Sequence, residues 1–179
     1  MSKGRSKPVS ASVEGKVAGM GKITITKLEL LELWNGLPLL GSMNGFKLGY
    51  AVARTRAKLR PEIEALDESL KPRQEFTMYE TKRLELCMKY AEKDDQGVAI
   101  IVNDQFIFGP NQGKFDIEIA KLNTEYTKAI EARQRQVAEY NASLKEEIVV
   151  EVHQVVESDI QTDPEPTVAQ MAVLYYLIV

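Results

Sequence analysis

Hydrophobic residues along this chain change their spacing several times, and each change marks a predicted element. Ile23-Thr24-Ile25 alternates with β-branched residues and predicts a short strand. Thr26-Lys27-Leu28-Glu29 has the form of a capping box, in which the Thr hydroxyl takes one orphan helix N–H and the Glu reaches back to another. The helix it opens carries Leu30, Leu31, Leu33 and Trp34 and ends near Asn35-Gly36, with Pro38 beyond. Gly41-Ser42-Met43-Asn44-Gly45 is a linker. From Phe46 to Lys71, Leu48, Val52, Leu59, Ile63, Leu66 and Leu70 fall on roughly one helical face. Pro61 sits inside that stretch and predicts a kink or a restart near Arg60, and Pro72 closes it.

Glu75–Lys93 is a further helical run, with Phe76, Tyr79, Leu84 and Cys87 inward and Tyr90 as a further candidate. Asp94-Asp95-Gln96-Gly97 is a turn. Val98–Val102 and Gln105–Phe108 are β-like runs separated by Asn103-Asp104, two residues that tolerate the left-handed backbone of a tight hairpin. An unbroken helix is then predicted from about Lys114 to Glu147. Its stripe of Ile119, Leu122, Tyr126, Ile130, Val137 and Leu144 is close to a heptad seam. Packing within the chain is the simpler reading of that seam, and an intermolecular coiled coil is the other. Ile148–Val156 switches to period two, with Ile148, Val150, Val152 and Val156 on one face and Glu151 and His153 on the other. This half-buried strand could pair with Ile23–Ile25. Asp163-Pro164-Glu165-Pro166 reads as a rigid linker, and Thr167 caps a short helix over Val168–Ile178, with a strand as the alternative. The chain ends in the apolar run Tyr175-Tyr176-Leu177-Ile178-Val179, which should pack on the body or on a partner.

The expected fold is therefore mainly α with a small β element, an antiparallel helical hairpin or bundle with a β-hairpin inserted between helices. The expected organisation is a basic flexible arm over residues 1–22 and a single mostly helical domain over residues 23–179.

Composition narrows the function more than it identifies it. At 179 residues and 44% hydrophobic the chain can bury a real core. Its net charge of −3 gives no overall basic field for nucleic acid. The charge is uneven: residues 1–22 hold Lys3, Arg5, Lys7, Lys16 and Lys22 against Glu14, so a basic arm precedes an acidic body. One cysteine, Cys87, excludes an internal disulfide, and one Cys with the single histidine, His153, falls short of a zinc site. Residues 1–20 lack the apolar core of a signal peptide, and Val168–Val179 is too short to span a bilayer, so the chain reads as cytosolic.

Motifs that suggest chemistry fail on inspection. Gly15 to Lys22 has the wrong glycine spacing for a phosphate loop, and Ile23 stands where a hydroxyl is needed. Glu92 to Asn103 places Gly97 at the sixth position of a calcium loop, but the first position is Glu rather than Asp and the twelfth is Asn103, where a bidentate Glu is needed. Nucleophilic catalysis would have to use His153, on the polar face of a strand, and Cys87 reads as a small buried residue. Arg54, Arg56, Lys58 and Arg60 cluster on one helix, with Tyr50 as the nearby aromatic. Pairing with acidic helices is the plain reading of that cluster, and binding nucleic acid is the sharper one. No catalytic residue, cofactor-binding residue or metal ligand is assigned, and no enzymatic activity is expected.

Several segments carry a family likeness. They are Lys47-Leu48-Gly49-Tyr50-Ala51-Val52-Ala53-Arg54, Leu59-Arg60-Pro61-Glu62-Ile63-Glu64-Ala65-Leu66, Tyr79-Glu80, and Arg83-Leu84-Glu85-Leu86-Cys87. Lys89-Tyr90-Ala91-Glu92-Lys93-Asp94, Leu122-Asn123-Thr124-Glu125-Tyr126 and Glu146-Glu147-Ile148-Val149-Val150-Glu151-Val152-His153 complete them. Together they resemble a small tailed-phage and prophage protein family, a domain of unknown function. The likeness covers most of residues 23–178. Members of that family start close to residue 23, so the basic arm departs from it. The resemblance implies phage origin and a helical body, and it carries over no site residues. The expectation it leads to is a non-enzymatic interaction protein, a structural or assembly component of the virion that docks on phage proteins or on copies of itself. A host-directed inhibitor of a bacterial protein is the alternative. The expected location is the host cytoplasm, with incorporation into the virion as a further step. Nucleic acid would enter only weakly, through the arm.

Overall fold

The computed structural model describes residues 19–43, 45–160 and 165–179, so most of the basic arm and part of the Asp163–Pro166 linker lie outside the described residues. The described chain is mainly α, with two small antiparallel two-stranded sheets. It divides into two compact units, one built from the segments on either side of Glu64–Lys145 and the other from Glu64–Lys145 itself.

The first unit is organised by strand β1, Gly19–Thr26, paired antiparallel with strand β4, Glu147–Gln154. The register sets Ile23 against Val150 and Ile25 against Ile148, as the two alternating runs suggest. β1 begins at Gly19, earlier than the Ile23 start expected, so the last residues assigned to the arm belong to the ribbon. Backbone pairing to β4 decides this, and it needs no hydrophobic side chain at Gly19 or Gly21.

Thr26 ends β1 and caps helix α1, Lys27–Gly36: its hydroxyl accepts from Glu29 N, and Glu29 Oε2 accepts from Thr26 N at 2.7 Å. Those hydrogen bonds from the Thr26 backbone and side chain hold the Glu29 carboxyl below its usual range. A short 3-10 turn, Leu37–Ser42, follows. Leu30, Leu33, Leu37 and Leu40 are buried together with Val173, Leu174 and Leu177 from the chain end. Helix α6, Val168–Leu174, lies close to α1: a Cβ on Gly36 would stand 2.4 Å from Val173 Cγ2. Thr167 caps α6 in a second capping box with Gln170. The last residues return to β4's continuation, with Val155 N donating to Leu177 O and Val179 N to Val155 O. The apolar terminus therefore packs on its own body.

Helix α2, Phe46–Leu70, runs without a break through Pro61. The expected restart does not occur. Proline removes only the bond to the Ala57 carbonyl, and Ala57 and Pro61 both face solvent, where water can take that carbonyl. Leu48, Ala51, Leu59 and Ile63 are buried on the opposite stripe, with Thr55 the one buried polar residue among those described. Thr55 Oγ1 accepts a 2.9 Å hydrogen bond from His153 N on β4.

The second unit is a helical hairpin. Helix α3, Gln74–Tyr90, packs along helix α4, Gln112–Glu125, and helix α5, Thr127–Ser143. The predicted continuous helix over Lys114–Glu147 is thus two helices that meet at Tyr126, whose backbone leaves the helical region at φ −104° and ψ 15°. Threonine hydroxyls bond the backbone around the break: Thr127 Oγ1 donates to the carbonyls of Asn123 and Thr124, and Thr124 Oγ1 to that of Ala120. Leu84 is a second departure, 49% exposed where it was expected inward. It lies more than a third of a turn round α3 from Tyr79, away from the face that meets α4 and α5.

Between the helices, strands β2, Ile101–Val102, and β3, Gln105–Phe106, form the predicted β-hairpin. Asn103 and Asp104 both have positive φ, at 50° and 60°, which gives the turn the twist its strands require. Phe108 stacks on Phe115 of α4 at 4.0 Å between centroids and anchors the hairpin to the helices.

Two stability outcomes follow. Pro61→Ala restores a backbone hydrogen bond inside α2 and should raise the urea midpoint, by about 1–3 kcal/mol of stability. An unchanged midpoint would argue for a real interruption there. Thr55→Val keeps the shape but strips His153 N of its acceptor and should cost about 1–3 kcal/mol in the same titration.

Candidate interaction surfaces

Cys87 is buried in α3, and burial pushes its thiol pKa up, with Arg83 partly opposing this. His153 belongs to the other unit. Its ring lies edge-on to Tyr50 at 5.2 Å, and Nδ1 is buried with no hydrogen-bond partner among the described residues. No described carboxylate orients that imidazole as a base. Asp94 is occupied in its turn: Oδ1 accepts from Gln96 N and Val98 N, and Gly97 closes the loop at φ +81°. Among the described residues no group of three or more His, Cys, Asp or Glu is placed to hold a metal ion. Of the glycine-rich stretch from Gly15 to Lys22, the described part is strand, and the remainder lies outside the described residues.

The basic cluster on α2 is only partly neutralised. Lys58 Nζ meets Glu151 Oε2 of β4 at 2.7 Å, and that contact holds Glu151 below the usual carboxylate range. Arg56 lies over the Trp34 ring at 4.7 Å. Arg54 and Arg60 make no ion pair among the described residues. The acid that pairs with Lys58 comes from a strand, although acidic helices were the expected source.

The helical hairpin presents a groove along α3 and α5 of about 630 Å³, walled by Phe76, Tyr79, Ile130 and Val137, with Arg83 and Gln134 at its margins. The two helices supply these residues at seam spacing, yet the seam is only half covered. Of the stripe Ile119, Leu122, Tyr126, Ile130, Val137 and Leu144, Leu122 alone is buried. Tyr79 fixes the middle of the seam. Its hydroxyl and Asn123 Oδ1 are 2.9 Å apart, and its ring packs 5.9 Å from Tyr126. Lys82 covers the Tyr126 ring at 4.9 Å and reaches Glu125 at 3.0 Å. Those two neighbours, Tyr126 before Glu125, raise its pKa.

Further along α5, Arg133 donates to the Leu70 carbonyl, and Gln136 to those of Ser69 and Lys71. Both side chains thereby satisfy orphan carbonyls at the end of α2. Arg133 also borders a smaller cavity of about 340 Å³ with Arg73, Lys128 and Phe76.

A buried, protonated Cys87 should react slowly with a thiol reagent at pH 8 in the folded protein and quickly in urea. Rapid labelling of the folded chain would place the thiol at the surface.

Compared with protein-family models, curated proteins and solved structures, the chain matches none. Among the described residues no helix is long and apolar enough to cross a membrane.

Proposed function

We propose that this chain is a non-enzymatic interaction protein of phage origin, an assembly component of the virion, and that its helical hairpin is the docking element. One observation carries the reading. The unit Glu64–Lys145 buries Leu66, Cys87, Ala91 and Leu122, while Met78, Leu84, Met88 and Ile117 stay exposed and the α3–α5 groove stays open. A helical unit with so little of its apolar surface covered gains stability when a partner covers the rest. The groove is lined by Phe76, Tyr79, Ile130 and Val137 together with polar residues such as Arg83 and Gln134, a mixture that suits an amphipathic helix presenting anchors one turn apart.

A tagged pull-down from phage-infected cells, read by mass spectrometry, tests this. Capsid, neck or tail proteins should be recovered. Ile130→Glu and Val137→Glu should remove them while the circular dichroism spectrum is kept, since both positions line the open groove. A single stoichiometric host protein would replace the assembly reading with that of a host-directed inhibitor. Partners that survive both substitutions would move the docking surface elsewhere.

A further inference from the structure

Tertiary folding alters the α2 basic cluster. By sequence, Tyr50 is the aromatic beside it. In the structure Phe46, one turn earlier, stacks on Tyr50 at 6.3 Å between centroids with 22° between the rings. His153, from the far end of the chain, meets Tyr50 edge-on at 5.2 Å. Phe46 is 88% exposed and Tyr50 47%. An exposed phenyl ring of that degree gains nothing for the fold. Beside these rings lies the outer face of the β1–β4 ribbon. Directly opposed residues of an antiparallel pair share a face, so Met20 stands with His153 and Lys22 with Glu151. Glu151 makes its ion pair with Lys58, and Lys22, opposite it on β1, acts on the same carboxylate at longer range and makes no ion pair of its own among the described residues. Arg54 continues the Phe46–Tyr50 stripe by one more turn and is likewise unpaired among those residues.

We propose that Phe46, Tyr50 and His153, with Lys22 and Arg54, form a platform for single-stranded nucleic acid. Unpaired bases stack on the rings, and the phosphates run past Lys22 and Arg54. Exposed aromatic faces interleaved with free cations are what a single strand requires, because every base has a π-face and every linkage a negative charge. A duplex hides its base faces and would leave Phe46 unused. An apolar protein partner would bury Lys22 and Arg54 uncompensated. The sequence carries further positive charge before β1: residues 1–18 hold Lys3, Arg5, Lys7 and Lys16 against Glu14. The attraction is local, since the chain as a whole carries −3. This inference concerns the first unit and does not depend on the docking role of the helical hairpin.

The test is fluorescence anisotropy of labelled oligo-dT and oligo-U with the full chain at low salt, on the order of 50 mM, where phosphate contacts are strongest. Both should bind, and a duplex of equal length should bind more weakly. Phe46→Ala with Tyr50→Ala should weaken binding by about tenfold or more, as expected for loss of a stacked base. Phe46→Trp should retain it, with circular dichroism confirming that each variant folds. Arg54→Ala should weaken binding and flatten its salt dependence. Three results would overturn the proposal. One is no binding of either oligonucleotide by the folded wild-type chain. Another is equal affinity for the duplex. The third is undiminished binding by the double alanine variant, with loss only on deleting residues 1–18, which would leave a basic tail acting by charge alone.

Discussion

Pairing of β1 with β4 is the constraint on which the first unit depends. It joins segments from opposite ends of the sequence through an eight-residue register. Closing so long a loop costs chain entropy, and a two-stranded ribbon by itself is marginal in water. The neighbouring contacts make it hold. Val150 and Val152 bury one face, Thr55 takes the His153 N–H at the edge of β4, and the chain end adds the Val155–Leu177 and Val179–Val155 bonds. Lys27 N donates to Glu146 O, which ties the start of α1 to the start of β4. The accompanying Lys27–Glu146 ion pair is largely exposed and adds little.

The unit Glu64–Lys145 follows a different economy. Its helices pair along one seam and leave much of their outer surface bare, so polar ties at the ends matter more than the interior. Asn111 Nδ2 donates to the Tyr90 carbonyl at the end of α3, and Arg133 and Gln136 hold the last carbonyls of α2. Each tie satisfies groups that a helix terminus leaves open. They fix how the helices connect without covering the α3–α5 groove.

Two surfaces of different chemistry result. One is a groove floored by aromatic and aliphatic side chains, with partnered polar groups around it. The other is a row of rings, Phe46 and Tyr50 exposed and His153 half-buried, beside the cations Lys22 and Arg54, which make no ion pair among the described residues. Burial deactivates Cys87, and His153 has an imidazole that no described acid orients. Asp94 is engaged in its turn and Glu29 in its capping box.

Features governed by a few neighbouring residues were legible in the sequence. Both threonine caps, the Asn103-Asp104 turn and the alternation in β1 and β4 depend on side chains within reach of their own backbone, or on period two against period 3.6. The mainly α class with a small β element follows from these. Where local signals compete, the sequence left the outcome open. Pro61 predicts a break that solvent exposure of Ala57 makes unnecessary. The helix breaks at Tyr126 although the hydrophobic spacing of its stripe runs on. Leu84 has the right chemistry for an interior but stands on the wrong side of α3. The groove and the ring platform depend on which distant segments come together. Spacing along one helix places Phe46, Tyr50 and Arg54 in a row, but only the closure of β4 onto β1 beside α2 brings His153, Met20 and Lys22 to the same face. Amphipathic periodicity says that a face is apolar. What covers that face is settled by long-range packing, and at the α3–α5 groove that packing is incomplete.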